Sequence, residues 1–240
     1  MSRKIAFTSL GCDKNRVDSE VMLGILQQNG YTAVADEAEA DIIVVNTCCF
    51  IKDALEESIE TILEMSKYKN PEVGHCKGLI VAGCLGQRYE KEFFDELPEV
   101  DAIVGTTAYE SIAEVADEIL DGKEQVKQLE SIDLAMQDAN GKLRVLSTAP
   151  YFAYLKISEG CDNRCTYCVI PQMRGRHRSR ELESLVEEAT LLAQQGVKEL
   201  VIVAQDTSIY GRDLYGKPML DVLLRRLNAI ESLEWIRLLY

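Results

Sequence analysis

The chain has 240 residues, 47% of them hydrophobic, and 26 basic against 40 acidic residues give it a net charge of −14. That apolar content suffices for one large or two ordinary cores, and the acidic balance is the reverse of what a protein gripping nucleic acid through its phosphates shows. No apolar run of membrane-spanning length and no secretion signal stand in the sequence, so a cytoplasmic location with no membrane role is expected, and the eight cysteines point to metal ligation rather than disulfides.

The first half alternates apolar strand-like runs with amphipathic helix-like runs. Lys4–Leu10, Asp41–Asn46, Gly78–Ala82 and Ala102–Gly105 read as buried parallel strands. Between them, Asp18 is expected to cap a helix bearing Val21, Met22, Ile25 and Leu26 on one face, with Gly30 after its end. Asp53 with Glu56, and Ser111 with Glu114, have the spacing of capping boxes, and Gly122 is a stop signal. Strand–helix alternation of this kind predicts a doubly wound parallel-sheet domain over residues 1–122. Residues 123–150 lose the pattern and read as a connector, with a hairpin signal at Asn140-Gly141.

Residues 151–240 restart the alternation. Tyr154–Ile157, Glu199–Ala204 and Trp235–Leu239 read as strands, and Glu181–Gln195 and Leu220–Ile230 as helices. This is the opening of a (β/α) barrel. A closed barrel needs roughly 200 residues or more, so the sequence is expected to be a truncated form of a longer protein.

Two trios of cysteines carry the chemistry. Cys161, Cys165 and Cys168 are spaced C-x3-C-x2-C directly after the first barrel strand, where barrel chemistry takes place. Thiolates so close can each bind a different iron on one face of a 4Fe-4S cube, and three ligands leave the fourth iron open. A structural zinc site would want a fourth ligand, and the distance from Cys168 to His177 matches no zinc spacing. Cys12, Cys48 and Cys84 each follow the apolar run of a predicted strand in the first half. The carboxyl ends of strands line the ligand crevice of an open parallel sheet, so these three can meet at a second three-cysteine cluster. Cys49, expected to point the other way on an extended segment, and Cys76, in a polar loop, read as non-ligands.

C-x3-C-x2-C on the first loop of a partial barrel resembles the radical S-adenosylmethionine superfamily. Together with the second trio, SLGCDKNRVDSE (Ser9–Glu20), NTCCFI (Asn46–Ile51) and GCDNRCTYCVIPQMRGRHRSR (Gly160–Arg180) resemble the methylthiotransferase family, in its RimO-type branch. The resemblance implies two 4Fe-4S clusters, S-adenosylmethionine as cofactor, and conversion of C–H to C–SCH3 at an aspartate of a small-subunit ribosomal protein. It also implies that Tyr167 sits beside the adenine and that Gln205 and Asp206 contribute to cofactor binding. An electron donor such as flavodoxin or ferredoxin is implied as a partner; nucleic acid is not predicted for this stretch. Asp13 stands where the family more usually has proline and Cys49 where it more usually has glycine.

Arg174, Arg176, Arg178 and Arg180 form a basic run with His177. Contact with a carboxylate or phosphate through guanidinium forks is one reading, and a solvated loop leading into a helix is the other. Three other functions compete with this reading: a tRNA adenosine methylthiotransferase, a non-catalytic iron–sulfur protein, and a structural zinc protein. The acidic balance disfavours the first, and incomplete trios disfavour the other two.

Overall fold

The structure is a computed structural model that describes residues 3–134 and 144–239. Its contacts divide the chain into two units, Met1–Ile132 and Asp133–Tyr240.

In the first unit the apolar runs become strands because each is followed by an amphipathic helix able to cover it. In chain order these are β1 (Arg3–Ser9), α1 (Asp13–Gln28), β2 (Tyr31–Ala33), β3 (Ile42–Thr47), α2 (Lys52–Ser66), β4 (Gly78–Gly83), α3 (Cys84–Arg88), α4 (Phe93–Glu96), β5 (Ala102–Val104), α5 (Ile112–Leu120) and β6 (Val126–Gln128). The strands form one sheet in the order β2-β1-β3-β4-β5-β6, and every pairing is parallel. Ile5, Ile42, Val44 and Ile80 share a core with Met22 and Leu26 of α1 and with Ile112, Val115 and Ile119 of α5. The intervening residues Ile43, Val45, Leu79, Val81 and Ile103 are equally buried, and by the pleat they face the other side, where α2 and α3 pack on β3 and β4. Burial on both faces explains why these strands read as continuous apolar runs. The strand order reverses beside β1, so β1 and β3 flank the topological switch point of the doubly wound sheet.

Two helix starts differ from expectation, and a third stands where expected but lacks its cap bond. α1 begins at Asp13, with Cys12 in extended conformation (φ −94°, ψ 172°) as its N-cap. Asp18 is therefore a buried residue inside the helix, because Arg16 N–H already closes a turn on the Cys12 carbonyl at 3.1 Å. Ile51, not Asp53, is the N-cap of α2, and Asp53 lies in its first turn. Ser111 is the N-cap of α5 but makes no side-chain cap bond, since a 3-10 turn over Tyr109–Ser111 leads into the helix. The short strands β2 and β6 escaped the periodicity reading. β6 lies in the stretch read as connector, and the hairpin signal at Asn140-Gly141 falls outside the described residues.

The second unit contains β7 (Phe152–Lys156), β8 (Ser158–Glu159), α6 (Ile170–Arg174), β9 (Arg178–Ser179), α7 (Leu182–Gln194), β10 (Glu199–Val203), α8 (Arg212–Tyr215), α9 (Leu220–Asn228) and β11 (Trp235–Leu238). β7, β10 and β11 are parallel, in the order β11-β10-β7. Leu155, Leu200 and Ile202 pack against Leu185, Ala189 and Leu192 of α7 and Leu223 and Leu227 of α9. These strands and helices are the first part of a (β/α) barrel. The pair β8–β9 is antiparallel, and it closes the long loop that holds the second cysteine motif.

Candidate metal centres

The first trio is assembled by strand register. Ser9 of β1 lies opposite Asn46 of β3, and Thr47 of β3 lies opposite Gly83 of β4. Cys12, Cys48 and Cys84 thus leave three adjacent strand ends on one edge of the sheet, at and beside the switch point. Cys12 is exposed, whereas Cys48 and Cys84 are buried. A set of buried polar groups fixes these strand ends. Asn15 Nδ2 donates to the carbonyls of Leu10 (3.1 Å) and Thr47 (2.8 Å). Asn46 Nδ2 donates to the carbonyl of Asn15 and to Ser19 Oγ, both at 2.9 Å. Thr47 Oγ1 donates to the Ala82 carbonyl (2.7 Å), and Ser58 Oγ donates to the Cys48 carbonyl at 2.8 Å and accepts from its N–H at 3.2 Å.

The residue preceding Cys12, Cys84 and Cys161 is in each case a left-handed glycine, with φ of 86°, 88° and 78° for Gly11, Gly83 and Gly160. Only glycine takes that conformation without strain. It lets the chain turn sharply as it leaves the strand and release the cysteine at the sheet edge. A Cβ on Gly11 would come within 2.5 Å of Cys48 Cβ and 3.1 Å of its Sγ. One on Gly83 would meet Asn46 Oδ1, and one on Gly160 the Arg176 carbonyl.

The second trio lies on the loop between β8 and α6. Cys161 is buried, Cys168 half-buried and Cys165 exposed, and Tyr167 beside them is 82% exposed. Asp162 Oδ1 accepts from the His177 N–H at 3.1 Å, and Asn163 Nδ2 donates to Asp206 Oδ2 at 3.0 Å. Asp206 follows β10, so this bond ties the cysteine loop to the next strand end. Burial alone would raise the Asp206 pKa, but hydrogen bonds from Ser208 and Asn163 hold it below the usual carboxylate value. Gln205 donates its Nε2 to Glu159 Oε1 at 2.5 Å.

Both trios offer donors of the right chemistry for a four-iron cube. Among the described residues no three His, Cys, Asp or Glu side chains gather as they would around a single ion. A cube that takes each thiolate at a separate iron does not require that.

Two arginines of the run do meet carboxylates, but those of the protein's own Glu159 and Glu188. Three of its four guanidinium groups face inward. Arg174 Nη1 donates to Glu159 Oε2 at 2.9 Å, and Arg180 Nη1 to Glu188 Oε2 at 2.6 Å. Arg178 Nη1 donates to the carbonyls of Arg174 and Arg176, and Arg176 alone is exposed. His177 is buried, with Nε2 3.1 Å from Ser179 Oγ. Burial pushes its pKa down despite Asp213 and Asp162 nearby. Cys49 is buried, and that burial pushes its thiol up to about 12. Cys76 is buried too, its thiol 3.2 Å from the Gly78 carbonyl.

Sequence reading missed Asn15, Asn46, Thr47 and Ser58 around the first trio, and Lys156 and Glu159 around the second. A polar Asn46-Thr47 closing an all-apolar strand is a signal in hindsight, as is the charged pair Lys156 and Glu159 amid apolar neighbours.

Comparison with known proteins agrees with this architecture. Residues 4–105 match the uncharacterized protein family UPF0004, and residues 155–239 match the radical SAM superfamily. Among curated relatives, a protein of Lachnoclostridium phytofermentans named ribosomal protein uS12 methylthiotransferase RimO is 56% identical over 99% of this chain and 53% of its own length. Proteins of the same name from Acetivibrio thermocellus and Pelotomaculum thermopropionicum are 52% and 54% identical over 100% of this chain and 53% of theirs. The chain spans about half the length of these relatives. Among solved structures, the radical S-adenosylmethionine methyltransferase TsrM of Kitasatospora setae, with cobalamin and a [4Fe-4S] cluster bound, aligns with TM-score 0.61 at 15% identity, over 94% of this chain and 50% of that one. The cobalamin-dependent S-adenosylmethionine radical enzyme OxsB aligns with TM-score 0.56 at 13% identity, over 94% and 36%; these two likenesses concern the fold. With both domain models matched in order and more than half of all residues shared with the first of these relatives, the chain belongs to the radical S-adenosylmethionine methylthiotransferase family, in its RimO-type branch.

Proposed function

We propose that the protein inserts a methylthio group at a C–H bond of an aspartate in ribosomal protein uS12, using S-adenosylmethionine and two 4Fe-4S clusters. One observation carries the reading: there are two cysteine trios rather than quartets, one at the carboxyl ends of three adjacent parallel strands and the other on the single loop between β8 and α6. Cys12, Cys48 and Cys84 would hold one cluster, and Cys161, Cys165 and Cys168 the other. When bound, these groups supply one-electron chemistry on S-adenosylmethionine and a docking place for sulfur.

The chain's own residues bind and orient. The left-handed glycines and the Asn15–Asn46 bonds hold the cysteine-bearing loops at the strand ends. Tyr167, with its ring in solvent, is free to stack on an adenine. Gln205 and Asp206 flank the same loop and offer acceptors for polar groups of the cofactor. The net charge of −14 favours encounter with a basic protein substrate, and the cytoplasm supplies both that substrate and a reductant of the flavodoxin or ferredoxin kind.

The test is anaerobic reconstitution of the full-length protein, with each trio changed to alanine in turn. Each change should remove about four irons and abolish the mass increase of uS12. Unchanged iron after replacement of Cys12, Cys48 and Cys84 would overturn the two-cluster reading. Full iron with a mass increase on tRNA rather than on uS12 would overturn the substrate.

A further inference from the structure

Glu159 precedes Cys161 by two residues and lies outside the cysteine motif, yet its side chain is only 4% exposed. Its Oε2 accepts from Lys156 Nζ and from Arg174 Nη1, each at 2.9 Å. Its Oε1 accepts from the Gly160 N–H at 3.3 Å and from Gln205 Nε2 at 2.5 Å. The four donors come from the end of β7, the residue before Cys161, the last residue of α6 beyond Cys168, and the loop after β10. One carboxylate therefore joins both ends of the cysteine loop to the neighbouring strand end.

The chemistry of the Gln205 contact has a direction. A carboxylate flanked by two cations is an acceptor only, so the amide must turn its Nε2 to Glu159 and its Oε1 away. That Oε1 is buried and has no hydrogen-bond partner among the described residues. An unsatisfied buried carbonyl is costly, and a charged N–H donor is its strongest complement. It sits at the carboxyl end of β10, beside Asp206 and its bond to the cysteine loop.

We infer that Glu159 is a positioning residue: by taking Nε2 of Gln205, it presents Gln205 Oε1 as an acceptor for the ammonium group of an amino-acid-type cofactor bound at the cysteine loop. The inference rests on the proposal that this loop binds S-adenosylmethionine. Reversing the direction of the Glu159–Gln205 bond should leave an acceptor in place, whereas breaking it should not.

The experiment measures binding of S-adenosylmethionine, and of an analogue lacking the amino group, to the reconstituted full-length protein. Iron content and thermal unfolding are followed in parallel. Glu159→Gln and Gln205→Glu should each weaken S-adenosylmethionine roughly tenfold or more, and the double variant E159Q/Q205E should regain most of the loss. The analogue should be indifferent to all three. Gln205→Leu, which leaves the buried ions intact, should weaken S-adenosylmethionine alone, and it decides the matter if E159Q fails to fold. Wild-type-like affinity in Gln205→Leu, or equal losses for both ligands, would overturn the inference. A wild-type protein that binds no S-adenosylmethionine would overturn the radical reading, and this inference with it.

Discussion

Asn15 and Asn46 hold each other through the backbone. The side chain of Asn46 donates to the Asn15 carbonyl at 2.9 Å, and that of Asn15 donates to the carbonyl of Thr47, next to Asn46, at 2.8 Å. The exchange ties the first turn of α1 to the end of β3, and so fixes Cys12 relative to Cys48. Asn46→Ala leaves the Asn15 carbonyl and Ser19 without this donor inside the protein, which should cost about 1–3 kcal/mol. Thermal unfolding should register the loss. Iron bound at the first trio should fall, while iron at Cys161, Cys165 and Cys168 stays.

Gly83 and Gly160 offer a paired test of the two cysteine sites. Each has positive φ, and an added Cβ would strike Asn46 Oδ1 in one case and the Arg176 carbonyl in the other. Strain of this kind costs about 1–3 kcal/mol for the backbone conformation alone. Gly83→Ala should lower reconstituted iron at the first trio only, and Gly160→Ala at the second only. Elemental analysis in a background with the other trio replaced reads each separately. Normal iron in both variants would mean the turns do not set the thiols.

Glu188 is a buried anion between Arg144 and Arg180, at 2.8 and 2.6 Å. Burial opposes its ionisation, but the two guanidinium groups outweigh this and hold its carboxyl below the usual range. Its folded pKa is thus lower than its unfolded one. The stabilisation is complete above the unfolded value of about 4.3 and fades as pH falls from there toward the folded value. Circular dichroism against pH should show an acid unfolding of the second unit in that window. Glu188→Gln should cost about 3–5 kcal/mol at neutral pH, because two buried cations lose their partner, and should flatten the acid dependence. An acid profile identical to wild type would remove Glu188 as its cause.

Exposure separates the cysteines in the cluster-free protein. Cys12 and Cys165 are exposed, while Cys48, Cys49, Cys76, Cys84 and Cys161 are buried. Brief alkylation followed by peptide mass spectrometry should label Cys12 and Cys165 first. Cys49→Ala should leave reconstituted iron unchanged, in contrast to Cys84→Ala. Equal iron loss in the two variants would make Cys49 a ligand.

The alternation of apolar strands and amphipathic helices, and the placing of Cys12, Cys48, Cys84 and the C-x3-C-x2-C motif at strand ends, were legible in sequence because hydrophobic burial imposes a period on the chain. β2 and β6 were not, since three residues carry too little pattern to separate from a loop. The start of α1 was misplaced because Cys12 caps it through backbone conformation, and no side-chain signal announces that.

The sequence by itself determined where the long strands and helices form, which cysteines they deliver and to which family the chain belongs, since these depend on local periodicity and contiguous motifs. Only the tertiary structure decided what the polar side chains between them do. Arg174 and Arg180 turned from candidate ligand contacts into partners of Glu159 and Glu188, and Asn46 became a clasp for Asn15. A buried polar group must find its complement wherever the fold brings one, and that complement is set by strand register and loop closure, not by spacing along the chain.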